Sequence, residues 1–177
     1  LLGYGKEFTE QLSVELVKQL AAASPELASD PVATISLANF VVRSIPIAQP
    51  AMWVAVLAAN LWLALTIARR SNLIARPGDD WPSALRMPQG ALPLFALAMA
   101  GTFLTGGARM IVDVFAGSLG MAFALAGLAY FHHVTRGKPW RLAALWLGWL
   151  SLITVGLTAF LFLFAGLYAS VKKSSAS

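Results

Sequence analysis

The chain has 177 residues, 58% of them apolar and only 12% charged, with a mean hydropathy of +0.71. Soluble domains carry about 25% charged residues to face water, so this composition excludes an ordinary soluble domain and points to a bilayer. The net charge of +5 invites a nucleic-acid partner, but Lys and Arg cluster at the ends of apolar runs, where they set membrane orientation instead.

The absence of cysteine excludes disulfides, thiolate metal sites and cysteine nucleophiles. Lys6, Glu7 and Glu10 interrupt any early apolar run, which argues against a cleavable signal peptide. Because residue 1 is Leu rather than Met, the chain reads as a fragment with further residues expected upstream.

Residues 7–23 space Phe8, Leu12, Leu16 and Leu20 four apart among charged positions. That pattern predicts an amphipathic helix too charged to span a bilayer. Pro25 and Pro31 then punctuate "SPELASDP". The apolar stretch 32–45 ends before Pro46 and is short of the ~20 residues a crossing needs. Residues 1–46 are therefore expected to form an interfacial, extracytoplasmic segment.

Four crossings are expected after it, at about 47–68, 88–105, 110–131 and 142–170, followed by a polar tail, 171–177. The second opens with Pro88 and Pro93, which a first helical turn tolerates. The fourth, about 29 residues long, is expected to tilt or project. The fold class is thus all-α, a polytopic helical membrane protein. Arg69, Arg70, Arg76, Arg86, Arg136, Lys138 and Arg141 fall in the two loops of one side, against Arg43, Arg109, Lys172 and Lys173 on the other. The excess assigns the first set to the cytoplasm.

Few residues could carry chemistry. His132 and His133 are adjacent, so their rings point about 100° apart on a helix and do not readily share one ion. With no Cys, Asp or Glu in the neighbouring loop, no metal site is expected, and the pair reads as a helix-end anchor. Trp53, Trp140, Trp146 and Tyr168 read as interfacial anchors as well. "AGSLG" at 116–120 lacks the glycine spacing of intramembrane serine proteases. Instead Ala116, Gly117, Gly120, Ala124 and Gly127 recur at three- and four-residue intervals, a face on which membrane helices approach closely.

Asp113 is the only acid inside an expected crossing, and an intramembrane carboxylate is a candidate functional group. Arg109, four residues earlier, is placed to pair with it. Asn60, near the middle of the first crossing, can bond another helix or face a solute. Asn60, Asp113 and Arg109 are the candidate ligand-binding set. Catalytic residues and cofactors are expected to be absent.

Three stretches carry a family resemblance: "PAMWVAVLAANLWLALTIARRS" (50–71), "RMPQGALPLFALAMAGTFL" (86–104) and "GLAYFHHVTRGKPWRLAALWLGWLSLI" (127–153). They resemble the C-terminal half of the YybS-like bacterial inner-membrane proteins, a family of unknown function. That family is grouped with the substrate-binding membrane subunits of energy-coupling-factor transporters. The resemblance implies a multi-pass location in the bacterial inner membrane and a transporter-like, non-enzymatic scaffold that binds a small solute. It also implies, as partners, the bilayer, other membrane helices including an N-terminal half, and a coupling subunit with its ATPase. The competing expectation is a non-catalytic scaffold or accessory subunit of a larger complex.

Overall fold

The computed structural model describes residues 6–75, 77–78, 80–154 and 158–174. Eight helices account for most of them, and no strand occurs among the described residues. They are α1 (Lys6–Ala23), α2 (Pro25–Ser29), α3 (Pro31–Arg70), α4 (Trp81–Ala84), α5 (Ala91–Gly101), α6 (Gly107–Val134), α7 (Arg141–Thr154) and α8 (Thr158–Ser174). The chain divides into two compact units, Leu1–Ala48 and Gln49–Ser177.

In the first unit, the Leu12, Leu16 and Leu20 stripe of α1 is half-buried while Glu10, Glu15 and Lys18 stay exposed. Proline does not simply break the helix here. Pro25 opens α2, and Pro31 opens α3 in a position whose amide would have no helical partner. Asp30 caps that start: its Oδ1 accepts from the Ala33 amide at 3.0 Å. The buried Thr34 hydroxyl lies 2.6 Å from the Leu27 carbonyl and donates to it, tying α3 back across the break.

The expected interfacial stretch 32–45 is not separate from the expected first crossing. It is the beginning of α3, a single 40-residue helix that passes through Pro46 and Pro50. Each proline removes one backbone donor and crowds the carbonyl four residues earlier. Ser44 donates its hydroxyl to the Phe40 carbonyl at 2.7 Å just before them, a bond that accommodates bending. Within α3 only Thr34, Ala38 and Val42 are buried. None of the apolar positions from 47 to 68 is buried, and Ile47, Val54, Ala55 and Leu65 are half-buried.

The second unit is organised around α6. Phe95, Ala91 and Phe123 form its core, with Met87, Leu92, Leu119, Leu163 and Leu167 packed around them. The Phe95 and Phe123 rings lie 5.3 Å apart. Arg86 stacks 5.5 Å from the Tyr130 ring, and Gly101 faces the Val112 side chain. These contacts make residues 86–101 run antiparallel to α6. The regular helix covers only Ala91–Gly101, about 16 Å at 1.5 Å per residue, so the expected helix 88–105 is shorter at both ends. Gly106, at φ +73, supplies the left-handed turn from which α6 starts.

The expected single helix 142–170 is instead two, α7 and α8; residues 155–157, at the junction, lie outside the described residues. The Thr158 hydroxyl donates to the Ser151 carbonyl at 3.2 Å across it. α8 extends to Ser174, so the expected polar tail is helical over its first residues. Two helices, α3 and α6, are long and apolar enough to cross a membrane.

Candidate functional site

Asp113 sits in the first third of α6, 2% exposed. Its Oδ2 accepts from Arg109 Nε at 3.3 Å, one helical turn earlier, and the Arg109 side chain reaches outward from there, 39% exposed. The other carboxylate oxygen, Oδ1, is buried and accepts no hydrogen bond among the described residues. An ion pair at this spacing therefore compensates half of the carboxylate. Asn60 lies elsewhere, exposed on α3. The structure brings Asp113 and Arg109 together and leaves Asn60 out of the pair, so the three do not form one cradle.

The small-residue face of α6 divides by neighbour. A Cβ placed on Gly127 would overlap the Phe162 carbonyl oxygen of α8 and come within 2.7 Å of the Gly166 amide nitrogen. Reciprocally, a Cβ on Gly166 would overlap the Phe123 carbonyl oxygen and come within 2.9 Å of the Gly127 amide nitrogen. The two backbones touch where "Phe-x-x-x-Gly" of α6 meets "Phe-x-x-x-Gly" of α8. Gly120 is looser: its nearest neighbours, Leu163 and Phe95, stand at 3.6 Å. Ala116 and Gly117 are buried, and Ala124 is half-buried. Gly166 was not singled out by the sequence, although its spacing from Phe162 repeats that of Phe123 and Gly127.

His132 is half-buried and His133 exposed at the end of α6. No group of three His, Cys, Asp or Glu side chains able to hold a metal occurs among the described residues. Trp53, Trp140, Trp146 and Tyr168 are all exposed. Trp146, expected near the end of a crossing, is in the middle of α7. Tyr168 packs edge-on against Tyr130, ring centroids 6.0 Å apart.

A further contact joins the two loops that bear most of the basic residues. Arg136, just beyond α6, forms a bidentate pair with Asp80, which precedes α4; Nη1 donates to Oδ2 at 2.6 Å and Nη2 donates to Oδ1. Ser83 donates to the same carboxylate at 2.7 Å. Donation from Arg136 first, then from Ser83, holds the Asp80 carboxyl down at about 2, with His133 adding a smaller electrostatic push. The same pairing raises the Arg136 guanidinium. The signal for this pair was scarcity: Asp79 and Asp80 are the only acids between Asp30 and Asp113, and Asp79 lies outside the described residues.

No family model matches the chain, and neither does any curated protein or solved structure.

Proposed function

We propose that the chain is a non-catalytic membrane subunit that assembles with other membrane helices through α3. The observation that carries this reading is a contrast. α6 meets α8 backbone to backbone, whereas α3 buries none of its apolar residues from 47 to 68. An apolar helix of that length is at home in lipid or against another membrane helix. Asn60, exposed on α3, would then supply an interhelical hydrogen bond, a contact of roughly 0.6–2 kcal/mol.

The multi-pass topology belongs to the same proposal. Asp80 and Arg136 meet, so the loops after α3 and after α6 share a side. Since 86–101 runs antiparallel along α6, the chain returns across the bilayer there despite the shortness of α5. α7 would enter the bilayer from the Arg136 side and α8, whose Tyr168 meets Tyr130 near the end of α6, would return toward it; the basic loops would face the cytoplasm of a bacterial inner membrane.

The test exploits the lack of native cysteine. A photo-reactive maleimide is attached to Leu57→Cys or Leu61→Cys on α3 and activated in intact membranes. Adducts with a defined second polypeptide, lost in Asn60→Leu, are the expected result. Adducts with lipid alone at both positions would overturn the assembly role.

A second reading is favoured by the unbonded Oδ1 of Asp113: a solute-binding transport component in which Asp113 and Arg109 contact the solute. It expects thermal stabilisation by a small cationic or zwitterionic solute that disappears in Asp113→Asn.

A further inference from the structure

We propose that the turn between α6 and α7 binds the headgroup of an anionic phospholipid, with the outer face of α7 receiving its acyl chains. The proposal rests on the membrane reading above.

The first observation is an imbalance of charge. After Asp113 the chain contains no Asp or Glu at all, yet Arg136, Lys138 and Arg141 follow within a few residues of one another. Among the described residues the one carboxylate brought to this turn, Asp80, is engaged bidentately by Arg136. Lys138 is exposed and Arg141 half-buried, with no carboxylate paired to either among the described residues, so their charge is open to an anionic partner.

The second observation is that the turn is built, not loose. Thr135 is fully buried and donates its hydroxyl to the Phe131 carbonyl at 2.9 Å. The Lys138 amide donates to the Thr135 carbonyl at 3.2 Å, and the Arg141 amide donates to the Lys138 carbonyl at 3.1 Å. Gly137, at φ +72, makes the reversal a side chain would resist. Lys138 and Arg141 are therefore held one turn apart on a fixed backbone.

The third observation supplies the rest of the lipid. Trp140, 53% exposed, stands between the two cations, where an indole marks the headgroup boundary. Leu142 and Trp146 follow, 71% and 70% exposed and four residues apart on one helix face. The opposite face of α7 is committed to the protein, with Gly148 against Phe131 and Phe162. A cation, an interfacial indole, a second cation and an apolar strip follow one another, which suits a phosphate at the turn and acyl chains along α7.

The test reconstitutes the full chain in phosphatidylcholine bilayers containing phosphatidylglycerol, with the acyl chains of one lipid or the other brominated. Tryptophan quenching measures which lipid occupies the site. Brominated phosphatidylglycerol is expected to quench in excess of brominated phosphatidylcholine, and Trp146→Phe is expected to remove most of that excess. Lys138→Gln and Arg141→Gln should each lower the relative association of phosphatidylglycerol about fivefold. Asp80→Asn, which releases Arg136, should raise it. Equal quenching by the two lipids, unchanged in Lys138→Gln and Arg141→Gln, would overturn the headgroup site while leaving the membrane reading intact. Quenching by neither lipid would overturn both.

Discussion

At Asp113 one carboxylate oxygen accepts a hydrogen bond and the other accepts none among the described residues. Removing Arg109 would leave a buried charge with no compensation, whereas removing the charge itself spares that penalty. Arg109→Met is accordingly expected to destabilise by about 1–3 kcal/mol, and Asp113→Asn by less, in thermal unfolding of the detergent-solubilised protein. The reverse order would mean that Arg109 is not the partner that keeps the carboxylate in place. The pairing was legible because Arg109 and Asp113 stand four apart in a helix. The surroundings of Asn60 were not, since an apolar run of uniform character gives no sign of which side meets protein.

Between elements, the crossing of α6 and α8 is set by what glycine lacks. Gly127→Ala places a methyl group against a carbonyl oxygen and an amide of α8, neither of which can move without separating the helices. Overpacking of this kind costs about 1–3 kcal/mol. Gly120→Ala meets only side-chain carbons at ordinary contact distance and should be close to neutral. A comparison of the melting temperatures of the two variants checks the claim, and equal losses would refute it. Small-residue spacing revealed a close-packing face on α6, but periodicity names a face and never its partner, so Gly166 went unread. The breaks were missed for related reasons. Pro46 reads as a boundary in the sequence, yet α3 runs through it and through Pro50. The unbroken apolarity of 142–170 concealed the division into α7 and α8, because hydropathy reports what surrounds a segment and not where one helix ends and the next begins.

Across the whole molecule, the Asp80–Arg136 pair is the contact that ties the two basic loops together, across 56 residues of sequence. Asp80 titrates near 2 in the folded chain, against 3.8 for an unperturbed carboxyl. A lowered carboxylate stabilises the fold fully above its unfolded value and loses that contribution as pH falls through its folded one. The difference in melting temperature between the parent and Asp80→Asn should therefore be constant above about pH 5 and close as pH falls from about 4 to 2. Both partners are nearly half exposed, so the difference is expected to be small and to shrink with salt. A difference that persists at pH 2 would assign the effect of the substitution to something other than charge.

That contact also has a place in time. Asp80 leaves the ribosome long before Arg136, and the next acid after it, Asp113, is claimed by its own neighbour Arg109. The loop ahead of α4 can be clasped only once α5 and the whole of α6 have been made. Until then its carboxylate is free to meet passing cations. Closure of the pair thus marks completion of the antiparallel α5–α6 hairpin, a latch that a truncated or stalled chain cannot fasten.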